Sequence, residues 1–254
     1  MLAVISDIHA NFEALRAVLE ELDRLEVKTV FCLGDLVGYG PDPVQCVDAV
    51  RQRCEVTLCG NHDFALVYGA DDFNPVARTS LDYHRRLLMP RVDRPSPEAR
   101  ARWAFLKNLP KRHVRGETLF VHGSPRNPVS EYLRKIDVML GMTARLNENF
   151  ALVDWLCYVG HTHRAGVITQ DLQFLEPDDV GGTFRPKPLQ KAIINPGSVG
   201  QPRDHDARAA FVTIGEQGEV CFRRVSYDVQ AVAARMAAMP DMDPSLAERL
   251  RRGQ

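Results

Sequence analysis

Hydrophobic positions in the first sixty residues follow two alternating rhythms. Residues 2–6, Leu-Ala-Val-Ile-Ser, make a short unbroken apolar run of the kind that forms a buried strand. Phe12, Leu15, Val18, Leu19, Leu22 and Leu25 then recur at helical spacing, with Asn11 placed to cap the helix they predict. Thr29 to Leu33 is a second strand, Val44 to Arg51 a helix behind Pro43, and Val56 to Cys59 a third strand. This strand–helix alternation predicts a parallel sheet joined by crossover helices.

The middle of the chain reads as helical. Pro75 to Leu88 stops short of Pro90, and Ser96 with Pro97 opens a helix that runs through Leu109 to Pro110. Leu119 to Val121 and Leu156 to Val159 are strands on either side of a helix over Asp137 to Glu148. From Ile168 onward the pattern turns to β, with strands at Ala192–Ile194, Ala209–Ile214 and Val220–Val225. Gly215 and Gly218 mark a hairpin turn, and the segment 176–190, rich in Pro, Gly and Asp, is expected to be a surface loop. Val229 to Met239 predicts a closing helix, after which the tail past Pro240 is expected to add one helical turn or fray. No internal repeat, linker or low-complexity stretch interrupts the sequence. The 254 residues are enough for one substantial core, so a single domain over 1–254 is expected, with a helical insertion at about 64–116.

Composition narrows the class of function. Hydrophobic residues make up 45% and charged residues 26%, values of a folded globular chain. Lys and Arg number 32 against 33 Asp and Glu, so nothing suggests long nucleic acid or an anionic membrane as partner. Asp7 and His9 interrupt the first apolar run too early for a membrane span or a secretory signal. Six cysteines form no CxxC pair, and several sit in strand-like runs, as reduced cytoplasmic thiols do.

Chemistry gathers where the strands end. Strand one ends in Asp7-Ile8-His9, strand two in Gly34-Asp35 and strand three in Gly60-Asn61-His62-Asp63. The 119–121 strand ends in His122-Gly123, and the 156–159 strand in Gly160-His161-Thr162-His163. Open α/β sheets place their sites at this edge. A lone His after a strand is an ordinary packed or solvated residue, but five of the chain's eight histidines fall at such positions. Asp, Asn and His without Cys suit Mn, Fe, Zn, Ni or Co, with Mn favoured. Seven donors exceed one tetrahedral ion, so two divalent ions are expected, and Asp35, central in the order, is the candidate carboxylate bridge.

These five motifs, in order across residues 7–163, resemble the calcineurin-like metallophosphoesterase superfamily, in particular its small bacterial phosphodiesterase-type members. Asn195-Pro196-Gly197-Ser198 resembles a further element of those members and is read as a turn buttressing the metal loops. The resemblance implies a four-layer α/β/β/α sandwich of two mixed sheets. It implies one metal on Asp7, His9, Asp35 and His163, a second on Asp35, Asn61, His122 and His161, and His62 as the catalytic histidine. The expected reaction is in-line attack on phosphorus by a metal-bridging hydroxide, with His62 assisting the leaving oxygen.

Further residues carry two readings each. Asn11 is a candidate for phosphate contact or only a helix cap, and Tyr39 either borders the site or packs a loop. Arg203 could neutralise phosphate, although a surface ion pair is preferred; His84, His113 and His205 are taken as incidental. Phe64, Tyr68 and Phe73, at the start of the insertion, either wall the substrate cleft or pack remotely from it. Protein Ser/Thr phosphatases continue Gly-Asp-x-Val-Asp-Arg-Gly where this chain has Gly34-Asp35-Leu36-Val37-Gly38-Tyr39-Gly40. The missing Arg, which dinucleoside tetraphosphatases also keep, favours a singly charged diester over a monoester dianion. The expected substrate is therefore a small phosphodiester. The alternatives are a phosphomonoesterase, a protein or dinucleoside-polyphosphate phosphatase, a DNA nuclease without spare length for a DNA-binding domain, and a non-catalytic scaffold on the same fold. Oligomeric state is not legible.

Overall fold

The computed structural model describes residues 1–91, 93 and 96–254. Val92, Arg94 and Pro95, within the expected insertion, lie outside the described residues. The chain runs β1 (Leu2–Ile5), α1 (Phe12–Arg24), β2 (Thr29–Cys32), α2 (Pro43–Arg53), β3 (Val56–Thr57), α3 (Asn61–Tyr68), α4 (Pro75–Leu88) and α5 (Pro97–Lys107). There follow β4 (Arg112–Arg115), β5 (Thr118–Val121), α6 (Lys135–Met139), α7 (Thr143–Ala151), β6 (Leu156–Tyr158), β7 (Gly166–Thr169), β8 (Phe174–Leu175) and β9 (Thr183–Phe184). The last elements are β10 (Ala192–Asn195), β11 (Ala209–Ile214), β12 (Val220–Val225), α8 (Val229–Ala237) and α9 (Pro244–Arg252).

Two six-stranded mixed sheets result, ordered β3-β2-β1-β11-β12-β9 and β4-β5-β6-β10-β7-β8. Alternation along β1 shows how they are covered. Val4 faces the layer between the sheets with Phe31, Phe120, Tyr158 and Ile194, whereas Ala3 and Ile5 face α1 and α2 through Leu15, Val18 and Val47. The opposite face of the second sheet packs Val121, Cys157 and Ile193 on Leu146 and Phe150 of α7. The order is helix, sheet, sheet, helix, as expected from the sequence. β1, β2 and β3 run parallel in one sheet, and β5, β6 and β10 run parallel in the other. Each triplet thereby sends its carboxyl-terminal loops in one direction, and those loops carry the five motifs.

Several elements differ from the sequence expectation, each for a local reason. The helix expected over Asp137–Glu148 is two helices, α6 and α7, broken at Gly141, whose φ of 66° no continuous helix accommodates. The third strand's ladder stops at Thr57, and Asn61 opens α3 directly from the Gly60 turn. The tail past Pro240 neither frays nor stops after one turn. Asp243 caps α9 by accepting from Ser245 N–H, Pro244 starts it, and Gly253 ends it in the left-handed region. Leu246, Ala247 and Leu250 of α9 are buried against α8 and Tyr39, the two leucines contributing roughly 2 kcal/mol each. In the segment 64–116, Leu81 and Leu88 of α4 and Leu106 of α5 join the core of α1 and α2.

Candidate active site

Each polar loop is tied to its neighbour before any side chain meets another. Asp7 N–H donates to Gly34 O, His9 N–H to Asp35 O and Ala10 N–H to Leu36 O, stitching the loop after β1 to the loop after β2. The stitching holds unusual backbone. Asp7, His9, Ala10, Asp35, Tyr39, His161 and His163 all have φ between 47° and 67°, a region that costs an L-residue about 1 kcal/mol or more. Five of these seven are donors predicted for the metals, so the strain coincides with the site.

Asp63 is the third fastening. Its carboxylate accepts from Asp35 N–H (2.7 Å), Leu36 N–H (2.9 Å) and Gly60 N–H (3.0 Å), joining the second and third loops. Gly60 is required there, because a Cβ would lie 2.1 Å from Asp35 Oδ1. From the other sheet, Asn195 Nδ2 donates to Gly160 O and Thr162 Oγ1, while Ser198 Oγ donates to Asp7 O. Asn195-Pro196-Gly197-Ser198 thus buttresses the metal loops, as expected.

Seven side chains converge on this frame in two groups. Donor atoms of Asp7, His9, Asp35 and His163 lie within 4.8 Å of one another, as do those of Asp35, His122 and His161. Asp35 belongs to both. Its Oδ2 is 3.7 Å from His9 Nε2 and 3.3 Å from His122 Nε2, and the latter is 3.1 Å from Asn61 Oδ1.

The hydrogen bonds behind the rings decide what the cluster accepts. His9 Nδ1 is 3.0 Å from Val37 O and His163 Nδ1 is 2.6 Å from Gln201 O. A carbonyl only accepts, so both protons sit on Nδ1 and both Nε2 atoms present lone pairs inward. Those nitrogens are 3.1 Å apart, and His163 Nε2 is 3.3 Å from Asp7 Oδ1. His161 faces the cluster through Nδ1, because its Nε2 lies 3.2 Å from Ser130 O. Asp35 Oδ2 is buried without a hydrogen-bond partner. Converging lone pairs and two buried carboxylates repel one another, and a divalent cation is the partner that satisfies them. The donor set fits a metal.

Charge balance agrees. Burial pulls His9, His161 and His163 below the usual histidine range, His161 to about 3. Burial opposes charge on His122 too, but Asp35 and Asp7 lift it to about 9, so His122 carries a proton that a metal ion on its Nε2 would displace. Burial raises and the surrounding imidazoles lower the two carboxylates, with the net direction well down for Asp35. Both carboxylates therefore stay ionised.

His62 stands beside this cluster. Its backbone N–H donates to Asp35 Oδ1 (2.8 Å), and its ring packs edge-on to His9 and Phe73 and tilted against Tyr39, at centroid distances of 4.8, 4.9 and 4.6 Å. Its Nδ1 is buried without a partner, and burial lowers its pKa to about 4. Gly38, with φ of 89°, leaves room for this ring, since a Cβ there would lie 2.2 Å from Nδ1. Tyr39 is buried between His9 and His62. Asn11 is not brought to the cluster. Its Oδ1 caps α1 at Ala14 N–H, and its Nδ2 donates to Gly200 O and Tyr227 Oη. Of the insertion's aromatics, Phe73 touches His62, while Phe64 and Tyr68 pack tilted against each other at the surface.

His84, taken as incidental in the sequence, holds the loop that carries Asp35. From α4 its Nδ1 accepts Gly38 N–H (2.9 Å) and its Nε2–H donates to Gly40 O (2.8 Å), while Ser80 Oγ accepts Tyr39 N–H (3.1 Å). Burial lowers the His84 pKa to about 4, so the ring is neutral and can do both.

A four-layer sandwich with an Asp/His/Asn cluster at the joined loop ends defines a metal-binding hydrolase scaffold. Residues 1–217 match the calcineurin-like phosphoesterase superfamily domain, and the chain belongs to that family. It is 32% identical over 238 residues to the uncharacterized protein MJ0912 of Methanocaldococcus jannaschii, covering 91% of this chain and 89% of that protein. A crystal structure of a metallophosphoesterase from Sphaerobacter thermophilus superposes with TM-score 0.80 at 35% identity, covering 100% of this chain and 98% of the other. The hypothetical protein PH1004 of Pyrococcus horikoshii OT3 shares the fold, with TM-score 0.74 at 19% identity, covering 100% and 99%. The chain is accordingly a metal-dependent phosphoesterase by family, with a phosphate ester as its substrate class. Among the described residues no helix is long and apolar enough to cross a membrane.

Proposed function

We propose that the chain hydrolyses a small phosphodiester at a two-metal centre, with Mn the favoured ion among Mn, Fe, Zn, Ni and Co. The carrying observation is the pair of donor groups that share Asp35. In this reading Asp7, His9, Asp35 and His163 hold one ion, and Asp35, Asn61, His122 and His161 hold the other. When bound, the ions supply a water nucleophile available at neutral pH and stabilise charge added at phosphorus. Val37 and Gln201 carbonyls keep the His9 and His163 lone pairs turned inward, which orients the donors before binding.

His62 acts on the leaving oxygen. As a neutral imidazole in a dry pocket it donates an N–H hydrogen bond there, and its packing against Tyr39, Phe73 and His9 orients the ring. The diester reading is supported by the neutral pair Gly38 and Tyr39 in the loop after Asp35. Six unpaired thiols, four of them buried, support a reducing, cytoplasmic place of action. The test is kcat/KM on bis(p-nitrophenyl) phosphate against p-nitrophenyl phosphate, with metal content measured on the same protein. A higher value for the diester at two ions per chain supports the reading. Clear preference for the monoester makes a phosphomonoesterase the better one.

A further inference from the structure

Two arginines from distant parts of the chain meet at one tyrosine beside the cluster. Arg203 follows the turn that supports His163, and its backbone N–H donates to His163 O. Arg249 lies on α9. Their guanidinium carbons are 5.9 and 5.8 Å from the centroid of the Tyr39 ring, the ring that also packs on His9 and His62. Among the described residues neither guanidinium has a carboxylate within salt-bridge distance. Asp204, next to Arg203, pairs with Arg224, and Glu248, next to Arg249, pairs with Arg251 and Arg252. Arg203 spends Nη2 on Gln201 Oε1 (2.9 Å), and its Nε is buried without a partner.

Two half-buried cations against one tyrosine ring, without a carboxylate partner, work against each other's charge, and the fold keeps them there. Burial and Arg203 both work against the charge on Arg249. A fork of guanidinium N–H groups matches phosphoryl oxygens in geometry, and a pair of them matches a dianion in charge. Arg203 also lines a cleft of about 490 Å³ with Tyr132, Thr162 and Phe174, and the Tyr132 ring stacks on His161. The other cations of that cleft, Arg134, Lys135 and Arg164, face Asp137 or Glu176.

We propose that Arg203 and Arg249 form a subsite for a second phosphoryl group of the substrate, one side chain away from the metal cluster. The inference deepens the phosphodiester reading and rests on it for the identity of the reacting group. It makes the substrate a diester that carries an additional phosphate, with the organic part lodged in the cleft.

Two measurements test it. Pyrophosphate is titrated calorimetrically into chelator-treated protein, where only the chain's own cations can bind it. Arg203→Met and Arg249→Met should each weaken that binding about tenfold or more, and the Lys variants should recover part of it. Malonate, a dicarboxylate probe, should bind clearly more weakly than pyrophosphate. No binding by the parent, unchanged binding in the Met variants, or malonate binding as tight as pyrophosphate overturns the subsite. The second measurement compares thymidine 5′-(p-nitrophenyl phosphate) with its 3′-phosphorylated form under the same metal. The parent should favour the phosphorylated form, and the Met variants should lose more kcat/KM on it than on the unphosphorylated one. Equal losses on both overturn the proposal. Arginine-dependent pyrophosphate binding without hydrolysis of any diester would instead remove the phosphodiesterase reading and leave the subsite standing.

Discussion

Replacing His84 with Leu keeps the side chain's bulk in α4 and strands two buried polar groups. Gly38 N–H loses its acceptor and Gly40 C=O its donor, and both glycines are buried. Each stranded group costs about 1–3 kcal/mol, so the variant should lose about 2–6 kcal/mol at pH 7. The loss also carries a pH signature. The His84 pKa falls from 6.5 to about 4 on folding, because burial penalises its charged form. Between those values the unfolded chain binds a proton that the folded chain refuses, so parent stability is fully present above 6.5 and declines as pH falls toward 4. A shift of that size corresponds to ~3 kcal/mol. The variant has no such proton to lose. The gap between parent and His84→Leu should therefore be widest at pH 7 and shrink by most of that amount toward pH 4. Urea unfolding of chelator-treated protein at a series of pH values measures it, and taking the parent-minus-variant difference removes the other histidines. A gap that stays below 1 kcal/mol, or that does not change between pH 7 and pH 4.5, would refute the assignment of His84 as a neutral clip on the Asp35 loop.

Asp35→Asn should lower metal content and turnover more than substitution of any donor that serves one group only, because Asp35 alone belongs to both; retention of two ions with parental turnover would remove the shared-donor assignment. His62→Asn should leave metal content intact and reduce turnover of an ester with a poor leaving group by about 10²–10⁴-fold, whereas loss of both ions would make His62 a ligand. Gly38→Ala should behave similarly, since its Cβ would displace His62 Nδ1 from 2.2 Å away; unchanged kcat would show that the ring's position does not matter. Chelation should abolish activity and Mn restore it, while far-UV circular dichroism stays unchanged because three apolar layers hold the fold; unfolding on chelation would contradict this.

What could be read in advance, and what could not, follows from how local each cause is. The helix Pro75–Leu88 has the expected bounds because Asn74, Pro75 and Pro90 act within a few residues of its ends. The cluster was legible because each donor sits at an abrupt change from apolar strand to polar loop. The strand β4, Arg112-His113-Val114-Arg115, escaped notice because it is an edge strand with mostly exposed residues and no apolar alternation to follow. The helix α9 was obscured by its arginines, since Leu246, Ala247 and Leu250 form a narrow stripe that has meaning only against α8 and Tyr39. His84 looks like any histidine on an amphipathic helix, and its role exists only where α4 meets Gly38 and Gly40. Arg203 shows the same limit for charge. A surface ion pair is the sequence expectation for Arg203, yet its neighbour Asp204 pairs with Arg224 of β12 instead. An ion pair is decided by which strand lies alongside, and the cation left over stands at the edge of the metal cluster, where a substrate anion can take the place of the missing carboxylate.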